Sequence, residues 1–258
     1  MLTLDRPAAE AARNIPDLPA APPRTVTLCV AVPIFNERDT LLEIVRQVRA
    51  ATLPEGVARE IILVDDGSTD GTSDLLRAEV EGHFPDVRVL YHARNQGKGA
   101  AIITAIAAAE GDYLVVQDAD LEYDPNEFGI LLAPMLRGDA DVVYGSRFSG
   151  KIAGMKGANR LANRILTVAA NLLFPGSGIT DEATCYKMFR LPVLRSFPLR
   201  AQRFDFCPEV TAKVLKRGIR IHEVPIHYRA RTNEQGKKIR WTDGVDALWT
   251  LIKYRFTE

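Results

Sequence analysis

From residue 26 onward, short β-branched apolar runs alternate with longer stretches in which apolar residues recur at helical spacing. The runs VTLCVAV (26–32), EIILVD (60–65), VRVLY (87–91), DYLVVQD (112–118) and DVVYG (141–145) have strand length, and helical stretches fall near 38–51, 72–81, 97–109 and 125–137. Strands and helices that alternate with so little slack predict an α/β domain with a mostly parallel central sheet flanked by crossover helices. Beyond residue 146 the rhythm changes, with helices expected near 157–174, 208–217 and 242–256 and strands at 186–190 and 219–226. No internal repeat and no linker interrupts 25–258, which reads as a single domain with halves 25–146 and 147–258. Residues 1–24, rich in Ala and Pro, lack a basic start followed by an apolar core and are expected to be a disordered lead-in, not a secretory signal.

Composition narrows the options. Of 258 residues, 47% are hydrophobic, enough for a large core, and 33 basic residues balance 33 acidic ones, so no global field holds nucleic acid. The apolar runs at 100–109 and 165–174 reach only half of the ~20 residues that span a bilayer. Three scattered cysteines (29, 185, 207) exclude a disulfide framework or zinc spacing and fit a reducing compartment; Cys29, inside a strand, reads as a small buried apolar residue.

In open α/β sheets ligands sit beyond the carboxyl ends of the strands, so the polar residues there carry the functional signal. The first strand ends in VPIFNE, where Pro33 stiffens the chain, Phe35 can cover a flat ring and Glu37 can accept its hydrogen bonds. The same residues also fit an ordinary turn capped by Asn36 or Asp39. The second ends in VDDGSTDGT: Asp70 and Thr72 serve the turn and cap, whereas Asp65 or Asp66 has no evident structural duty and can hold a base N–H or a ribose hydroxyl. The third leads into RNQGKGAA, a Gly-Lys-Gly at a helix start whose free N–H groups and Lys98 can meet phosphate.

The fourth strand supplies the strongest signal, QDADLEYDP. Asp118, Asp120 and Glu122 alternate, which on an extended segment places them on one side, and a divalent cation, Mg or Mn by the hardness of the oxygens, is their natural partner. A solvated acidic turn before the next helix is the plainer reading. Lys213, Lys216 and Arg217 read as a solvated helical face, and Trp249, Ile252 and Tyr254 as core rather than membrane anchors.

The ordered set VPIFNE, VDDGSTDGT, NQGKGAA, DADLEYDP and GSRF resembles family 2 of the glycosyltransferases, which have the GT-A nucleotide-diphosphosugar fold. Within that family YGSRF, TDEATCYKMFR and EVPIHYRARTNEQGKK look most like the dolichol-phosphate-mannose synthase, or polyprenyl-phosphate glycosyltransferase, group. The resemblance implies a metal-dependent inverting hexosyltransferase. It implies that 25–146 bind the nucleotide sugar and 147–258, with a basic loop at 229–240, face the acceptor. It implies donor contacts from Pro33, Phe35, Glu37, Asp65, Asp66, Lys98, Asp118, Ala119, Asp120, Arg231 and Lys237, with Asp118, Asp120 and Glu122 at the metal. Asp120 and Arg147 would be catalytic, and Arg147 with Arg160 or Arg164 would meet the acceptor phosphate.

The implied reaction moves a sugar from GDP-mannose or a UDP-hexose to a polyprenyl or dolichyl phosphate, by a cytoplasmic enzyme, peripheral at the inner membrane face, with a membrane protein as a further partner. The alternative keeps the donor and uses a sugar, protein or small-molecule hydroxyl, for which Asp181 or Glu182 is the candidate base; the plainer reading of that pair is a turn. The chain departs from the synthases where Asn163 and Thr167 replace an Arg and a Ser, and where Thr184, Cys185 and Tyr186 replace small residues and Phe. A nucleotidyltransferase would show a G-x-G-T-R-like loop after its first strand, and VPIFNE is not one.

Overall fold

A computed structural model describes residues 25–231 and 241–257. The expected lead-in and Lys237, with most of the 229–240 loop, lie outside the described residues.

Five strand–helix steps come first: β1 (Val26–Ile34), α1 (Leu41–Ala50), β2 (Val57–Asp65), α2 (Thr72–Glu79), β3 (Val87–Tyr91), α3 (Lys98–Ala108), β4 (Tyr113–Val116), a 3₁₀ turn (Pro125–Glu127) continuing into α4 (Phe128–Leu136), and β5 (Val142–Ala153). Then follow α5 (Gly157–Leu173), β6 (Lys187–Arg190), α6 (Leu191–Arg195), α7 (Phe206–Lys216), β7 (Ile221–Arg229) and α8 (Trp241–Phe256). The strands form one seven-stranded sheet in the order β3-β2-β1-β4-β6-β5-β7. β1 runs parallel to β2 and β4, β2 to β3 and β5 to β7, while β6 is antiparallel to both of its neighbours. The expected mostly parallel sheet is thus present.

Strand alternation divides the core into two layers. Along β1, Cys29 and Ala31 face α3 and the helices of the second half, whereas Leu28, Val30 and Val32 face α1 and α4. Two elements escape the sequence pattern. Helix α6, at five residues, is too short to show a period. β5 runs past 145 because, after an irregularity between Ser146 and Lys151, its far part pairs again with β7. Three side chains also depart from expectation. Lys213 is buried against Glu209 (2.5 Å), because the acid at the preceding helical turn compensates its charge; Trp249 stands exposed while Tyr254 is core. Cys29 is buried, yet its thiol donates to Glu60 Oε2 (2.8 Å), so it is no purely apolar residue.

Candidate active site

The carboxyl ends of β1, β2 and β4 are tied together by their own side chains. Asn36, in the left-handed region (φ 51), donates its N–H to Ser68 Oγ and accepts the Thr69 N–H, and Glu37 donates its N–H to Thr72 Oγ1. Asn36 therefore staples two turns and does not cap α1. Asp70 accepts from the Thr72 N–H (3.0 Å) and hydroxyl, the cap expected of it. Pro33 and Phe35, two residues apart on β1 and the turn that follows, are both partly exposed.

Asp65 and Asp66 do have structural duties, contrary to the sequence reading. Asp65 accepts the Ser68 N–H (3.1 Å) and the Ser73 hydroxyl; Asp66 accepts the N–H groups of Gln96 (2.9 Å) and Gly97 (2.7 Å) and pairs with His92 (2.7 Å). Both are 1% exposed, and buried carboxylates need such partners. The partners of Asp66 lie about thirty positions away, so local spacing carries no trace of them.

The Gly-Lys-Gly start of α3 is likewise closed. Gly99 and Ala100 donate their N–H groups to the carbonyls of Arg203 (2.8 Å) and Gln202 (3.0 Å), so they are not free for phosphate. The glycines serve this contact: a Cβ on Gly97 would stand 2.4 Å from the Gln202 oxygen, and one on Gly99 2.9 Å from Ala201 Cβ. What remains for an anion is the Lys98 ammonium, which meets Asp118 Oδ1 at 2.6 Å and Cys185 Sγ at 3.1 Å.

Asp118, Asp120 and Glu122 do not share one side of an extended strand. β4 ends at Val116, and Leu121 adopts a left-handed φ of 62°, turning the chain between the second and third carboxylates. Glu122 instead accepts the Tyr228 hydroxyl (2.6 Å) and the Arg231 N–H (2.7 Å), locking the end of β7 to this turn. Among the described residues no three His, Cys, Asp or Glu converge as a ready ligand set. Asp118 and Asp120 are the pair that faces the cleft, with Ala119 buried between them.

Arg231 joins the strand ends. Its guanidinium meets Glu37 at 3.1 and 3.2 Å and Asp120 Oδ2 at 3.2 Å. Even so, burial and the neighbouring Asp118 and Glu122 charges push the Asp120 carboxyl up to about 7. A carboxylate crowded in this way calls for further positive charge, so the donor set fits a hard divalent ion.

Arg147 and Asp181 form a second, sealed unit. Arg147 Nε and Nη2 meet the two Asp181 oxygens at 2.7 and 2.8 Å, and the Arg147 N–H donates to Oδ2 at 3.0 Å. The Arg147 guanidinium also lies 5.1 Å from the Tyr228 ring centroid, which links this pair to Glu122. Glu182 is wholly buried, and desolvation lifts its carboxyl above the usual range. Its N–H donates to Thr167 Oγ1 (3.1 Å), which gives the Thr167 departure a role in seating this turn. Asp181 and Glu182 therefore do not open onto the cleft as bases. Arg160 and Arg164 stand exposed on α5, at 6.0 and 5.6 Å from the Phe148 ring centroid. Sequence reading missed Tyr228, His92 and Cys185 as site-shaping residues; Tyr228 was within the EVPIHYRAR motif, but nothing local marks its partner.

The chain's residues 29–197 match the family model Glycosyl transferase family 2. Two similar curated proteins are the undecaprenyl-phosphate 4-deoxy-4-formamido-L-arabinose transferases of Salmonella paratyphi A and Salmonella dublin, each 30% identical over 214 residues, 82% of this chain. The aligned part spans 62% of the length of those relatives. Among solved structures, the glucosyl-3-phosphoglycerate synthase of Mycobacterium tuberculosis with Mn2+, UDP and glucosyl-3-phosphoglycerate is 22% identical, with a TM-score of 0.69 over 90% of this chain and 81% of that one. The same enzyme with Mg2+ and UDP is 23% identical, with a TM-score of 0.68 over 90% and 80%. The fold shared with them is the GT-A fold.

Proposed function

Since the chain belongs to glycosyl transferase family 2, we propose that it transfers a sugar from a nucleoside-diphosphate sugar in the presence of a divalent metal. The observation that carries this reading is the cluster of Glu37, Asp118 and Asp120 with Lys98 and Arg231 at the carboxyl ends of β1 and β4. Asp118 and Asp120 would hold the metal, which supplies charge against the leaving diphosphate. Lys98 and Arg231 are the protein's own cations beside the same position, set there to stabilise developing phosphate charge. Pro33 and Phe35 offer an apolar wall for the base. Mn2+ and UDP in the structures of the same fold support this choice of ligands. With donor and Mn2+ or Mg2+, nucleoside diphosphate release is expected, and excess chelator is expected to stop it; release undiminished in chelator overturns the metal assignment.

For the acceptor, a small-molecule, sugar or protein hydroxyl is the better supported class. The structures sharing this fold hold phosphoglyceric acid as acceptor, and Arg147, the expected lipid-phosphate ligand, already has two nitrogens committed to Asp181. A polyprenyl phosphate remains as the second reading on one observation. With Asp181 and Glu182 sealed, an acceptor that arrives ionised and needs no base suits the site. Helix α5 adds to it with exposed Leu161, Ile165, Val168 and Leu172 beside Arg160 and Arg164, and no acidic residue in 151–180. No described helix is long and apolar enough to cross a membrane.

The two are separated by adding phosphoglyceric acid and simple sugars, or a short-chain polyprenyl phosphate, to the release assay. Stimulation by a hydroxyl compound is expected, and stimulation by the polyprenyl phosphate alone installs the second reading. Glu182→Gln sharpens the outcome. If Glu182 reaches a hydroxyl acceptor as base after local opening, turnover falls by about a hundredfold or more, whereas with a phosphate acceptor it stays within about tenfold.

A further inference from the structure

Behind Lys98 stand two thiols that sugar transfer does not use. Cys185 lies just before β6 and Cys207 in the first turn of α7; both are free and partly exposed. Their side chains hydrogen-bond to one another. Cys185 Sγ also accepts from Lys98 Nζ at 3.1 Å, and Cys207 Sγ donates to the Thr184 carbonyl at 3.4 Å. The two sulfurs are inequivalent: the hydrogen bond from Cys185, with Lys187 and Lys98 nearby, lowers the Cys207 thiol, and the same bond with burial raises that of Cys185. Such an arrangement pairs an attacking sulfur with a resolving one. Cys29 is fully buried and pushed up to about 12 by burial and Glu60, which makes it an internal control.

We infer that Cys185 and Cys207 are a peroxide-oxidisable dithiol whose disulfide withdraws a hydrogen-bond acceptor from Lys98 and so weakens the donor site. The Cys207 sulfur takes one oxygen from hydrogen peroxide, becoming a sulfenic acid and releasing one water. The Cys185 sulfur then displaces that oxygen as a second water, its thiol proton leaving with it. Two thiols are oxidised to one S–S bond while one peroxide is reduced to two waters. A reducing compartment keeps the dithiol as the resting state.

The thiol chemistry stands on geometry alone; its effect on turnover rests on the glycosyltransferase reading. The test treats the reduced full chain with a few-fold excess of hydrogen peroxide, alkylates the remaining thiols under denaturing conditions and maps the peptides by mass. A Cys185–Cys207 linked peptide is expected, with Cys29 still alkylated. Nucleoside diphosphate release is expected to fall severalfold and to recover with dithiothreitol, and Cys207→Ser is expected to give neither link nor loss. Free thiols at both positions, or Cys207 carried to sulfinic acid without a link, overturn the proposal. A linked peptide with unchanged release overturns the coupling to Lys98. If the reduced protein turns over no donor, the family-based reading fails, and the linked peptide still decides the thiol proposal.

Discussion

Asp120→Asn is expected to lose at least about a hundredfold in turnover and, without ligand, to unfold at a higher temperature than the parent at pH 8. Both effects come from one carboxylate. Folding brings it beside Asp118 and Glu122 and lifts it from its ordinary 3.8 to about 7, with Arg231 and Lys98 compensating only in part. The sign follows from linkage. Between pH 4 and 7 the unfolded chain has lost this proton while the folded one keeps it, so stability declines as pH rises through that window. Above it, the charged group costs the fold about 2–4 kcal/mol, which Asn removes. For a chain of this size that is roughly 5–10 °C in Tm at pH 8, and no advantage below pH 4. Melting curves at the two pH values, in chelator, check it. A variant less stable than the parent at pH 8 would show that Asp120 is held by Arg231 rather than strained by its neighbours. The same lifted carboxyl predicts that Mn2+ affinity, read by calorimetry, weakens as pH falls below about 7, because proton and metal compete for one site.

Arg147→Met is expected to lower Tm by about 10 °C or more, before any effect on acceptor is considered. The substitution leaves Asp181, which is wholly buried, without its two charge-assisted hydrogen bonds. Breaking a buried pair from one side costs about 3–5 kcal/mol, mostly for the stranded charge. Adding Asp181→Asn to the same protein removes that charge and is expected to recover a large part of the loss, since the two positions share one interaction. Denaturant unfolding of the two single variants and the double variant measures this. If Arg147→Met instead keeps its stability and only raises KM for an acceptor, the arginine is a binding residue and its link to Asp181 is incidental.

The element order and the location of the chemistry were legible in the sequence because both depend on local pattern. β-branched runs of strand length between helical periods are set by steric and burial preferences that each segment carries with it, and the polar residues that end the strands mark where a cleft must lie. The cap formed by Asp70 and Thr72 was readable for the same reason, since its partners are two positions apart.

What only the tertiary structure decided is which carboxylate works for the fold and which faces the cleft. Asp65 and Asp66 are equal in sequence, and packing spends both on neighbouring turns. Gly-Lys-Gly resembles an anion cradle until the 201–203 segment covers its N–H groups. The alternation of Asp118, Asp120 and Glu122 holds only if the backbone stays extended, and a left-handed Leu121 ends that premise. Arg147 finds Asp181 34 positions away, and Arg231 finds Asp120 111 positions away. A charge's role follows from its partner and its exposure, and here sheet order, not sequence distance, sets both.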